Sequence, residues 1–227
     1  MRPQYHEFDQ QLQKHAFLQR HYECLPFIGE NYKETRLLLI GESHYVPGAE
    51  VHCVNREDFY DVSFDDLTEG EYKDWINTRR VFEYRVYDRE NLKGFFANPA
   101  TEMAGVLHPA EPISTDRIIE AMHHYAFMNY FKRPAYDAGQ TIKGLTRQDY
   151  RYAYDVSRYI MDVLQPTHII FVSKKAYYAF CASATEDVFA QYSIACVSHP
   201  SSAWWNRKRK DGRCAREDFR DFVAEIL

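Results

Sequence analysis

The segment Arg36-Leu-Leu-Leu-Ile-Gly-Glu-Ser-His-Tyr45 frames the reading of the chain. Four apolar residues run without a break from Leu37 to Ile40. Gly41 stops the run, and Glu42, Ser43, His44 and Tyr45 follow. An unbroken apolar run closed by glycine predicts a strand buried on both faces, as in a parallel sheet. Ligands of open parallel sheets bind just beyond the carboxyl ends of the strands, so Glu42 to Tyr45 occupy a candidate site. The plainer alternative is a tight turn whose polar side chains only satisfy backbone groups.

Three further runs have strand character, over residues 125–131, 168–173 and 193–198. Helical spacing predicts helices over His6 to Tyr22, 70–89, Pro99 to Leu107, Ser114 to His124, Thr146 to Leu164, Lys174 to Ala182 and 214–227. Apolar strands separated by helices predict a three-layer α/β/α domain with a mostly parallel four-stranded central sheet. With no linker or repeat in view, residues 1–227 are read as one domain. Residues 1–35 are an N-terminal helical extension and 46–90 an insertion, its first part an acidic surface loop.

The 227 residues suffice for one α/β core, and 45% hydrophobic and 16% aromatic content argues against disorder. A formal charge of −5 excludes an overall basic nucleic-acid glove, so any nucleic-acid contact has to be local. Five scattered cysteines with no C-x-x-C pair predict reduced thiols. No signal peptide is expected, no apolar run reaches membrane-spanning length, and the expected location is cytoplasmic. His44, His52, Cys53, His123 and His124 match no familiar zinc spacing, so no metal and no cofactor are expected.

Three strand ends carry polar residues: Glu42–Tyr45, Asn129 with Lys132 and Arg133, and His199–Ser202. In a parallel sheet these share one edge, so an acid, a carboxamide and an imidazole converge although far apart in sequence. Such a set suits recognition of a planar polar group together with acid–base work. Gly41-Glu-Ser-His-Tyr45, Phe127-Met-Asn-Tyr-Phe-Lys-Arg-Pro134 and His199-Pro-Ser-Ser202, in that order, resemble the motifs of the uracil-DNA glycosylase superfamily. Ile169-Ile-Phe-Val-Ser-Lys-Lys-Ala176 falls where that family has a strand, a turn and a helix.

The resemblance implies a fold like that of the family and hydrolytic release of a uracil-type base from DNA. It implies Glu42 as the water-activating carboxylate and His199 as the group that offsets charge on the leaving base. Asn129 would read the base edge, Tyr45 would exclude a thymine methyl, and Phe96, or else Phe95, would stack on the base. Ser201 and Ser202 would bind backbone phosphate. Trp204 or Trp205 would enter the duplex, while Arg207, Lys208, Arg209 and Lys210 would neutralise phosphates. Some branches carry a four-cysteine iron–sulfur cluster opened by a close cysteine pair; this chain lacks the pair, and no cluster is expected. Two other readings stand beside this one. The first is a nucleobase- or nucleic-acid-binding protein of the same fold without catalysis. The second is a serine hydrolase using Ser43 and His199, since Gly41-Glu-Ser43-His-Tyr45 nearly spells a nucleophile elbow.

Overall fold

The computed structural model of the protein describes residues 6–45, 58–67, 76–87, 92, 94–135 and 141–227. Residues 46–57 of the loop expected over 46–68, both ends of the helix expected over 70–89, His52, Cys53 and Gly139 lie outside the described residues.

The chain forms an α/β structure around a five-stranded, mostly parallel sheet. Its strands are β1 (Phe27–Ile28), β2 (Leu37–Gly41), β3 (Tyr125–Asn129), β4 (His168–Phe171) and β5 (Ser193–Cys196), in the order β1-β3-β2-β4-β5. All four expected strands are present, and β3, β4 and β5 each stop two residues short of the expected run. The fifth, β1, is a correction: it lies in a segment read as wholly helical and pairs antiparallel with β3, Phe27 facing Phe127. The other pairings are parallel. Gly41 is level with Asn129, Ile40 with Phe171 and Phe171 with Cys196, so the carboxyl ends of these four strands share one edge. β2, in the middle, is buried along its whole length, as its unbroken Leu-Leu-Leu-Ile run requires.

Arg36 and Gln165 feed β2 and β4 from left-handed backbone, both at φ 49°. The Arg36 guanidinium donates to the Gln165 carbonyl (Nε–O 2.7 Å), which is otherwise left open at the end of the helix Arg147–Leu164. That helix starts at a capping box made by Thr146 and Asp149. Asp149 also takes a two-point ion pair from Arg133, at 2.8 and 3.0 Å, and a hydrogen bond from Tyr60 at 2.6 Å. Burial works against the charged carboxylate, but these donors prevail and hold Asp149 below the usual range. The segment after β3 is thereby tied to the longest described helix.

Residues of the expected N-terminal helical extension pack into the core. His6–Leu12 and Ala16–Arg20 are separate helices broken at residues 13–15, and Leu12, Phe17, Leu18 and His21 are fully buried. Phe64–Leu67 is a helical turn inside the segment expected to be irregular, and Thr78–Tyr87 is the described part of the next helix. Among the described residues, no helix is long and apolar enough to cross a membrane.

Candidate functional site

Because the parallel strands end together, the residues after them meet. Glu42 follows β2, Ser173 lies two residues past β4, and His199 lies three past β5. The Asn129 side chain is packed against Gly41. A methyl group added at Gly41 would come within 2.5 Å of Asn129 Oδ1 and 2.7 Å of Phe127 Cζ, so only glycine fits there. From Phe127 the contacts continue to Phe95 (ring centroids 5.4 Å apart, edge to face) and from Phe95 to His199 (4.9 Å, interplanar 24°, stacked). The His199 imidazole also senses the charge of Glu42. Glu42, Asn129 and His199, separated by up to 157 residues of chain, thus belong to one neighbourhood.

His199 sits in a tight turn. Ser202 N–H and Ser202 Oγ both donate to the His199 carbonyl, at 2.9 and 2.7 Å. Ser201 N–H donates to His199 Nδ1 at 3.2 Å. An Nδ1 that accepts a hydrogen bond puts the proton of the neutral ring on Nε2. Burial lowers the imidazole's pKa and the Glu42 carboxylate opposes this more weakly, so the ring favours its neutral form with an Nε2–H donor. The turn is braced by Asn98, whose Nδ2 donates to the Pro200 carbonyl at 2.8 Å, and by Gly94, which lies beside Ser201 Oγ at a φ of +69°.

Glu42 is more heavily engaged than its sequence position implies. Its Oε1 accepts from Thr141 Oγ1 (2.6 Å) and Ile142 N–H (2.8 Å), and its Oε2 accepts from Ser173 Oγ (2.9 Å). Lys175 Nζ donates to the Ile142 carbonyl. The carboxylate therefore straps residues 141–142 across the end of β2, and one Oε2 lone pair remains for a water. Tyr45 is half-buried, and burial first, then Glu42, raises its phenol pKa. In contrast, the Asn129 carboxamide has no hydrogen-bond partner among the described residues.

Several expected site residues stand elsewhere. Phe96 packs edge to face on Phe82 at 4.7 Å, and it is Phe95 that stacks in the site. Trp205 is 1% exposed against Phe219, whereas Trp204 is 54% exposed and carries the Arg207 guanidinium over its ring at 4.5 Å. Lys208 is paired with Glu217, and Arg209 with Asp211 and Asp218. Two of the four basic residues in that loop are thus compensated by their neighbours. The Ser202 hydroxyl is spent on its own turn, while Ser201 is exposed. Lys132 and Arg133 are buried and do not line the mouth.

Ser43 is buried, and its hydroxyl has no hydrogen-bond partner, hence no base, among the described residues. His44 donates to or accepts from Thr78 Oγ1 at 2.8 Å, and burial, aided by Lys132, lowers its pKa to about 3. Among the described residues, no group of three or more His, Cys, Asp or Glu is placed to hold a metal ion.

Ser173 and Thr141 were not anticipated from sequence. Ser173 obeys the same strand-end rule as Glu42 and was open to it; Thr141, in a polar loop, carried no signal. No protein-family model matches the chain, and no curated protein matches it significantly.

Proposed function

We propose that the site recognises a flipped nucleobase of the uracil type and releases it by hydrolysis, in a fold of the uracil-DNA glycosylase kind with helices on both faces of the sheet. The observation that carries the reading is the Asn129 carboxamide, without a hydrogen-bond partner among the described residues, in the same neighbourhood as a His199 ring that favours its neutral form with the proton on Nε2. A carboxamide offers one acceptor and one donor side by side, which matches the N3–H and O4 edge of uracil. Phe95, already stacked on His199, supplies an aromatic face.

In this reading the C1′–N1 bond breaks with its electron pair going to the base. His199 Nε2–H donates to the base oxygen that gains charge. The Glu42 carboxylate faces the developing positive sugar and orients water through its remaining lone pair. The water oxygen bonds to C1′, and its proton leaves toward Glu42. One well-placed hydrogen bond to such a charge is typically worth about 3 kcal/mol. Trp204 and Arg207 form an exposed stacking platform suited to a base or sugar next to the flipped position.

A second reading has a specific observation behind it. Three protein hydrogen bonds occupy most of the acceptor sites of the Glu42 carboxylate, which suits binding without cleavage. One experiment separates the two. The protein is incubated with oligonucleotides carrying uracil, hypoxanthine or xanthine, and both abasic sites and retained complex are measured. Release that falls by about a hundredfold or more in His199→Ala supports hydrolysis. Binding that is lost in Asn129→Ala without any release in the wild type supports the binding module. Neither binding nor release with any of the three bases removes the nucleobase reading.

A further inference from the structure

Lys132 lies three residues beyond Asn129 and is 2% exposed. Its Nζ donates to the Asn129 backbone carbonyl at 2.7 Å. The reason lies in the sheet. Carbonyls of alternate residues of β3 turn toward β1: Gly29 N–H donates to the Tyr125 carbonyl, and Phe27 lies level with Phe127. Continuing the antiparallel register would set Leu25 opposite Asn129, but Leu25 N–H is spent on the Tyr22 carbonyl in the turn Tyr22–Cys24. Pro26 has no N–H to offer. The ladder therefore stops one donor short at the residue that carries the free carboxamide, and the Lys132 ammonium fills that place.

The ammonium has no carboxylate partner among the described residues. The ionisable groups facing it are Cys24 and, behind it, Glu23 from the turn Tyr22–Cys24, His44 from the end of β2, and His15 ahead of the helix Ala16–Arg20. Cys24 Sγ is 3.7 Å from the Lys132 carbonyl oxygen and 3.8 Å from Glu23 Oε1, which is held by His21 Nδ1 at 2.8 Å.

We propose that Lys132 is a positioning residue: its ammonium holds the end of β3 so that the Asn129 carboxamide stays in register with a bound base, and loss of its proton loosens base recognition. The proposal rests on the reading of Asn129 as the base-reading residue. Burial lowers the Lys132 pKa to about 8, which puts the change within reach of mildly alkaline buffers. A charged donor makes a hydrogen bond roughly twice as strong as a neutral one, so the clamp weakens on deprotonation without vanishing.

The test has a ligand-free arm and a ligand arm. In the free protein, the carbonyl carbon shift of Asn129 and the amide shift of Tyr130 are followed by NMR from about pH 6.5 to about pH 9.5. Both are expected to titrate together near pH 8 in the wild type and to stay flat in Lys132→Met and Lys132→Arg. In the second arm, affinity for a uracil-containing oligonucleotide is compared at about pH 6.5 and about pH 8.8. The wild type is expected to weaken by about fivefold more than Lys132→Arg, which keeps its charge and carries any titration of the ligand itself. Lys132→Met is expected to bind weakly at both pH values. Wild-type and arginine variants with the same pH profile, or a methionine variant that binds as the wild type does at the lower pH, overturn the proposal. No oligonucleotide binding by any of the three proteins overturns it through its premise, and a persisting Asn129 titration then marks the base reading as the part that failed.

Discussion

A methyl group on Gly41 would overlap Asn129 Oδ1 and Phe127 Cζ, and both neighbours are held by the sheet. Gly41→Ala is therefore expected to cost about 1–3 kcal/mol of stability, in the range of other overpacked cores. It is also expected to push the carboxamide aside. Chemical denaturation checks the first effect and binding of a uracil-containing strand the second. Adding Asn129→Ala should recover part of the stability loss but none of the binding, a non-additivity that a double-mutant cycle reports. Lys132→Met has the opposite profile. It removes a buried cation with no carboxylate partner among the described residues and leaves one carbonyl unpaired, so its stability at neutral pH is expected to stay within about 1 kcal/mol of the wild type or to rise.

Two loops meet the strand ends, and each carries a prediction. The strap of residues 141–142 is held to the sheet by Glu42, and hydrogen bonds to a charged group contribute about 1.5–3 kcal/mol each. Glu42→Ala is expected to speed amide exchange at Ile142 by about tenfold or more while leaving β2 protected. Unchanged Ile142 exchange would mean that other contacts hold the strap. The loop Trp204 to Lys210 presents four basic residues in sequence, yet Lys208 and Arg209 are neutralised by Glu217, Asp211 and Asp218. A nucleic acid held by this loop is expected to show a log–log salt slope of about −1 to −2, against about −3 to −4 for four free charges. Glu217→Gln with Asp211→Asn and Asp218→Asn should steepen the slope by freeing both cations. A wild-type slope near −4 would mean that the ion pairs give way to phosphate.

The whole protein carries an acid sensitivity written by its buried imidazoles. His44 is lowered to about 3 in the folded state, chiefly by burial, while its unfolded form titrates near the ordinary 6.5. Below pH 6.5 the unfolded chain binds a proton that the folded chain refuses. Stability is then lost as pH falls from 6.5 toward 3, at up to about 1.4 kcal/mol per pH unit for this residue. His199 acts in the same direction. His44→Gln, which removes the titrating imidazole, is expected to flatten the fall in denaturant midpoint between about pH 6 and pH 4. Lys132 acts at the other end: its depressed pKa makes stability rise from about pH 8 toward 10.5, since there the unfolded state holds the extra proton.

The strands Leu37–Gly41, Tyr125–Asn129, His168–Phe171 and Ser193–Cys196 were legible in the chain because a strand covered on both faces has to be apolar at consecutive positions. The shared edge followed from parallel pairing, and with it the meeting of Glu42, Asn129 and His199. The helix start at Ser114 was readable because capping is a local interaction. What depended on packing was silent in the sequence. Phe27–Ile28 is too short to signal a strand, and its partner lies about a hundred residues away. Trp204 and Trp205 are identical as letters, and tertiary packing, with Phe219 among the contacts, buries one and leaves the other exposed. Phe95 and Phe96 were divided in the same way between His199 and Phe82. The strap on Glu42 and the ammonium under Asn129 depend on which backbone donors the neighbouring strands leave unused. That accounting closes only when the elements are in contact, because a hydrogen bond missing from one element is supplied by another far off in the chain.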